Sequence, residues 1–136
     1  MRIAIIVAEF NPEITHPLRD GAISFFKENK ISGVDVLHVP GAFEIPVKAA
    51  QLFSSRKKYD GIVTIGCLIK GETDHYDYIA QAVASGLQSV AIEYRKPVSF
   101  GVLTCHTYAQ ARRRAGRGSA NKGREAAAAL LAMLKK

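Results

Sequence analysis

Ile3-Ala4-Ile5-Ile6-Val7-Ala8 is an unbroken apolar run that stops at the turn signal Glu9-Phe10-Asn11-Pro12. A strand with one wet face alternates apolar and polar residues. A run without alternation predicts a strand covered on both faces, as in a parallel sheet between two layers of helices. The same grammar repeats outward from it. Leu18, Ala22, Phe25 and Phe26 recur at helical spacing up to Lys30. Val34 to Val39 reads as a second strand, stopped by Pro40-Gly41. A helix follows from about Phe43 to Ser55, with Pro46 tolerated in its first turn. Gly61 to Cys67 is a third strand, and a long helix from about Asp74 to Tyr94 carries Ile79, Val83, Leu87, Val90 and Tyr94 on one stripe. Pro97 breaks the chain before a fourth strand, Val98 to Thr104. Two helical segments, about Tyr108 to Ala115 and Lys122 to Lys135, finish it. The order β-α-β-α-β-α-β-α-α implies a parallel sheet with right-handed crossovers and helices on both faces. Ligands of such sheets bind beyond the carboxyl ends of the strands. That directs attention to Phe10-Asn11, Gly41 to Glu44, Cys67 to His75, and the chain from Thr104 onward.

With 136 residues, 48% hydrophobic and 23% charged, the chain fits one globular domain and excludes wholesale disorder. No apolar run is long enough to span a bilayer, so no membrane partner is expected. The N-terminus enters the first strand without the features of a signal peptide, which predicts a cytoplasmic protein. Cys67 and Cys105 are too few for a disulfide framework and form no C-x-x-C pair, in keeping with a reducing compartment. The net charge of +7 is confined to the last quarter. Residues 1–105 hold eleven Lys and Arg against eleven Asp and Glu, whereas residues 106–136 hold eight basic residues against Glu125 alone. Such an end suits nucleic acid, an anionic membrane face or a phosphorylated small substrate.

The segment Ile69-Lys70-Gly71-Glu72-Thr73-Asp74-His75 joins the third strand to the long helix. Its glycine lets a ligand approach the backbone, and the unpaired N–H groups of a first turn favour an anion. Thr73 or Asp74 would cap the helix. A capped loop with no ligand accounts for the same residues. His75 falls in the first turn, where the helix dipole disfavours the imidazolium and keeps a neutral ring available as a base; a structural histidine is the other reading. Phe10-Asn11 and Ala42-Phe43-Glu44 each set an aromatic beside a polar group at a strand end, which suits a flat heterocycle bearing hydroxyls or else a packed rim. Glu44 is placed to accept hydrogen bonds from sugar-like hydroxyls or to answer the helix dipole.

Arg112-Arg113-Arg114-Ala115-Gly116-Arg117-Gly118 has the charge of a nucleic-acid patch, but only Tyr108 is near enough to stack on a base, so no nucleic-acid partner is expected. Arginine suits bidentate phosphate capture, and Asn121-Lys122-Gly123 brings a second cation to the start of the last helix. A solvated charge run is the bland alternative. His16, His38, His75 and His106 show no ligand spacing, and no metal is expected.

Four fragments stand in order: Pro40-Gly41-Ala42-Phe43-Glu44-Ile45-Pro46, Ile69 through Tyr78, Pro97-Val98-Ser99-Phe100-Gly101, and Arg114-Ala115-Gly116. Together with Phe10-Asn11 before them and Asn121-Lys122-Gly123 after them, they resemble the lumazine synthase family over nearly the whole chain. The resemblance implies a three-layer α/β/α sandwich about a four-stranded parallel sheet, flavodoxin-like, in a single domain over 1–136. It also implies a reaction: 5-amino-6-ribitylaminouracil condenses with 3,4-dihydroxy-2-butanone 4-phosphate to 6,7-dimethyl-8-ribityllumazine, releasing phosphate, with no cofactor. Residue by residue, Phe10 matches the aromatic that stacks on the pyrimidine. Ala42, Phe43 and Glu44 match the segment holding the ribityl chain, and Cys67, Leu68 and Ile69 the backbone that reads the uracil edge. Glu72 and Thr73 match the phosphate-contacting turn, His75 the proton-transfer residue, and Phe100 a wall from a neighbouring subunit. Arg114 and Lys122 match the cations at the phosphate. By the same resemblance Phe10, Glu44 and His75 face Phe100, Arg114 and Lys122 across a subunit boundary. The implied partners are thus small-molecule substrates and a homopentamer with shared sites, which in some members closes into a sixty-subunit icosahedral shell.

Three departures qualify this. Family members carry a further segment before the first strand that pairs with a neighbouring subunit, whereas here the strand begins at once. Arg112, Arg113 and Arg117 make the loop more basic than is usual, and the last helix is rich in alanine from Ala126 to Ala129. They support a second reading, an engineered member serving as the scaffold of a designed assembly with a second protein component. The presence of every mapped site residue favours the enzyme.

Overall fold

The structure, a computed structural model, describes residues 1–71 and 74–135. Strands β1 (Ile3–Ala8), β2 (Val34–Val39), β3 (Gly61–Ile69) and β4 (Val98–Cys105) form one parallel sheet in the order β2-β1-β3-β4. All six residues of β1 are buried, as an apolar run without alternation requires. The pleat sends alternate side chains to opposite faces. Ile3, Ile5 and Val7 pack with Leu18 and Phe26 of α1 (Pro12–Glu28) and Leu130 of α5 (Lys122–Leu134). On the other face Ala4, Ile6 and Ala8 pack with Ile45 and Phe53 of α2 (Ile45–Phe53) and with Val83 and Leu87 of α3 (His75–Tyr94). Each fully buried Ile, Leu or Val contributes about 1.5–3 kcal/mol, so a single polar substitution in β1 damages one of two cores. The α/β/α layering expected from the sequence is therefore present.

The boundaries differ where side-chain periodicity is a poor guide. Helix α1 begins at Pro12, well before the apolar series that starts at Leu18, because Asn11 turns left-handed (φ 62°, ψ 55°) and Pro12 enters the first helical turn. The helix then runs through Pro17. Residues Ala42–Glu44 form a 3-10 turn ahead of α2, and Pro46 lies in the first turn of α2 as expected. Strands β3 and β4 run on to Ile69 and Cys105, which pair with each other. Asp74 does occupy the cap position of α3, but its side chain makes no capping bond there; Thr73, the other expected cap, lies outside the described residues.

The last helix is fastened by the motif that opens it. Asn121 Oδ1 accepts from the Arg124 amide at 2.9 Å, capping α5, while its Nδ2 donates to the Pro17 carbonyl at 3.0 Å. Gly123 lies against the Leu18 carbonyl, where any Cβ would collide with backbone. Arg124 adds a bidentate pair to Glu28, at 2.6 and 2.9 Å. These contacts fix how α5 crosses α1, and so where Lys122 points. Ahead of it, α4 (Tyr108–Arg114) carries three arginines in its last turn, the end where cations answer the helix dipole.

Candidate active site

A cavity of about 520 Å³ opens at the carboxyl ends of β1 and β3, where the strand order reverses direction. It gathers Phe10, Ala42, Phe43, Glu44, Cys67, Leu68, Ile69 and His75, with Asn11, Tyr76 and Ile79 completing the wall. The backbone explains the gathering. Pairing between β1 and β2 continues past the strand ends, with the Glu9 amide donating to the Val39 carbonyl at 2.8 Å and the Phe10 amide to the Pro40 carbonyl at 3.2 Å. Asn11 then reverses the chain, and its Nδ2 donates to the Cys67 carbonyl at 3.2 Å, tying the turn to β3. Strand β1 follows β3 only as far as Ile65, while β4 follows it to Ile69. Beyond Ile65 the β1 side of β3 therefore borders the cavity, and backbone there can meet the polar edge of a flat ring.

Phe10 is left 70% exposed and Phe43 60% exposed at the rim. Large apolar rings kept in water by a fixed backbone are suited to being covered by a ligand or a neighbouring chain. Glu44 is half-buried; its amide donates to the Gly41 carbonyl at 3.2 Å, and its carboxylate folds back over Gly41. Burial, and secondarily the neighbouring Cys105, pushes the Cys67 thiol up to about 12. Cys67 is a packing group, with no thiolate to act as nucleophile. His75 is the first residue of α3 and stands exposed on the cavity wall.

The remaining expected residues lie elsewhere. Phe100, Arg114 and Lys122 line a second cavity of about 450 Å³ between β4, the open edge of the sheet, and α5. Arg114 Nη1 donates to Cys105 Sγ at 3.1 Å, and Lys122 Nζ pairs with Glu125 at 2.8 Å across one helical turn. Phe100 is 46% exposed. Within one chain the mapped residues therefore form two groups, one rich in aromatic and hydroxyl-accepting side chains and one cationic. Glu72 and Thr73 lie outside the described residues.

Sequence reasoning missed two things. It read Asn121-Lys122-Gly123 for its cation alone, although Asn121 and Gly123 set the helix crossing that aims Lys122. It also treated the histidines as unrelated, whereas the fold brings His16 and His38 to the carboxylate of Glu9. The β1–β2 pairing that places His38 opposite Val7 was the missing signal.

A family model described as 6,7-dimethyl-8-ribityllumazine synthase matches residues 1–136. The chain is similar to the 6,7-dimethyl-8-ribityllumazine synthase of Limosilactobacillus reuteri (strain DSM 20016), at 47% identity over 132 residues, 97% of this chain and 86% of that protein. The Pediococcus pentosaceus protein of the same name is 45% identical over 136 residues, and that of Leuconostoc mesenteroides subsp. mesenteroides 43% over 135; each match covers 98% of this chain and 86% of the relative.

Proposed function

The chain belongs to the 6,7-dimethyl-8-ribityllumazine synthase family, and on that premise we propose that it condenses 5-amino-6-ribitylaminouracil with 3,4-dihydroxy-2-butanone 4-phosphate, releasing phosphate. It is a transferase of riboflavin biosynthesis acting on small molecules. The reading of the sequence as an inert scaffold gives way to the enzyme, since natural bacterial synthases share 43% to 47% of its residues over nearly its full length.

The observation that carries the assignment is the partition of the site. The ring and hydroxyls of the aminouracil suit the first cavity: Phe10 stacks on the pyrimidine, Cys67, Leu68 and Ile69 offer backbone to its edge, and Ala42, Phe43 and Glu44 hold the ribityl chain. Arg114 and Lys122 in the second cavity suit the phosphate. There the Lys122–Glu125 pair, half exposed and worth about 0–1 kcal/mol, yields readily to a phosphate. The amine attacks the ketone carbonyl and one water leaves to give an imine. Phosphate is then eliminated, the resulting enol becomes a carbonyl, and the second amine closes the pyrazine ring on it with loss of a second water. Each step moves a proton, and His75 at the cavity wall is the group to carry it. Glu72 and Thr73 belong to the same role of steadying the phosphate.

Because the two groups sit in separate cavities of one chain, a complete site needs the first cavity of one copy against the second cavity of another. We take the assembly to be a five-fold ring, with closure of rings into a shell opposed by the like charges of Arg112, Arg113 and Arg117 at low salt. Mixing both substrates with the protein should give lumazine fluorescence. Native mass spectrometry at two ionic strengths should give a pentamer or a multiple of it. A monomer at micromolar concentration that turned over normally would overturn the shared site.

A further inference from the structure

We propose that Glu9, His16 and His38 bind a divalent transition-metal ion of the zinc or copper type, in a site beside the substrate cavity that the condensation does not use. The three residues come from three elements: Glu9 follows β1, His16 lies in α1 and His38 in β2. One donor atom from each side chain lies within 4.8 Å of the other two. The Glu9 carboxylate is shared, its Oε2 lying 3.1 Å from His16 Nε2 and its Oε1 bonded to His38 Nδ1. The two rings meet edge to face, 6.0 Å apart at 86°, so their nitrogens converge on the carboxylate while the rings stay unstacked.

Two imidazole nitrogens and one carboxylate oxygen are the donors of an open zinc site, which holds three protein ligands and keeps a fourth position for water. The set is too poor in oxygen for calcium or magnesium. Zinc takes nitrogen at about 2.0–2.1 Å, and donors already this close need only side-chain rotation to reach such distances. The sheet holds two of the ligands in place, through the Val7–His38 register and the bond from the Glu9 amide to the Val39 carbonyl. Each side chain keeps roughly two-fifths of its surface in water, which leaves an ion a path in. Since Glu9 precedes Phe10 and His38 precedes Val39-Pro40, an ion here clips together the two turns that carry the rim of the cavity.

The full-length protein, stripped with a chelator and titrated calorimetrically with Zn²⁺ alone, should take up one ion per chain at micromolar affinity or better. Co²⁺ should give the visible absorption bands of a tetrahedral site. His16→Gln/His38→Gln should weaken Zn²⁺ at least tenfold while keeping the wild-type circular dichroism, and His106→Gln should bind as the wild type does. Glu9→Gln, which removes a ligand without touching either ring, should abolish any Zn²⁺-dependent rise in melting temperature and serves if the double variant fails to fold. Sub-stoichiometric binding by the wild type would overturn the proposal, as would histidine and glutamate variants that bind Zn²⁺ as tightly as the wild type, or a wild type that binds Mg²⁺ as tightly as Zn²⁺.

Discussion

The two ends of the sheet are built from similar residue types put to opposite uses. At the amino ends of the strands, polar groups close on one another. The Arg2 amide donates to Asp60 at 2.7 Å, and the Asp60 amide returns a bond to the Arg2 carbonyl at 2.7 Å. Tyr59, fully buried, donates its hydroxyl to Asp35 Oδ2 at 2.6 Å, and its carbonyl accepts from Lys96 Nζ at 2.8 Å. Phe53 beneath is covered by Tyr94 and by the Lys96 ammonium. At the carboxyl ends the aromatics Phe10 and Phe43 face water and the first cavity lies open, while Phe100 faces water along the β4 edge, where the second cavity opens. A parallel sheet makes this division natural, since every strand delivers its following loop to the same end. Stability is concentrated where buried side chains close on one another, and binding where apolar rings and cavities stay open to water.

Substitutions at the two ends should therefore separate activity from stability. The largest effect is expected for His75→Ala, which should lower the single-turnover rate by on the order of 10²-fold and leave the melting temperature unchanged; an unaltered rate would remove His75 from proton transfer. Arg114→Ala should raise the Michaelis constant for the butanone phosphate at least about tenfold, as loss of a charge-assisted phosphate contact worth roughly 1.5–3 kcal/mol requires. Its affinity for the ribitylaminouracil should hold. Equal loss for both substrates would show Arg114 supporting the fold or the subunit boundary instead.

At the opposite end, Tyr59→Phe should cost about 1.5 kcal/mol of stability with no change in turnover, read from denaturant midpoints and steady-state assays. Its pH dependence has a defined sign. Burial, and then the Asp35 carboxylate, raises the Tyr59 hydroxyl to about 12, above its value in the unfolded chain. The stabilisation is complete below the unfolded value near pH 10 and is lost as pH rises through the folded one. The same bond, with Lys57 and Arg2 behind it, holds the Asp35 carboxyl below its usual range, so that share is present above the unfolded carboxylate value and is lost as pH falls through the folded one. The gap between wild type and variant should therefore narrow in strong alkali and in strong acid. The smallest effect belongs to α1. Thr15 Oγ1 is buried with no hydrogen-bond partner among the described residues, and Thr15→Val should raise stability by about 1 kcal/mol without altering turnover.

Strand and helix order was legible because its signals are local. The run from Ile3 to Ala8, the stops at Pro40-Gly41 and Pro97, and the stripe through Val83 and Leu87 each act within a few residues of one another. The start of α1 was hidden by Glu13, His16 and Pro17, which carry no apolar period although the backbone there is helical. The residues of the first cavity were legible as separate strand-end clusters, because a parallel sheet sends all such clusters to one end. What the clusters could not reveal was which of them share a cavity.

The amino-acid order by itself determined the α/β class, the end of the sheet that binds and the residue types available there, since those follow from periodicity and from chain breaks between neighbours in sequence. The family resemblance implied that Arg114 and Lys122 stand apart from His75, but only the tertiary structure decided how Lys122 is set there, because α5 is held across α1 by Asn121 and Gly123, against Pro17 and Leu18 far away in the chain. It also decided that Glu9, His16 and His38 converge, through the register of two strands joined by a whole helical crossover. Contacts between distant segments depend on how separate elements dock, and no local pattern of residues records that.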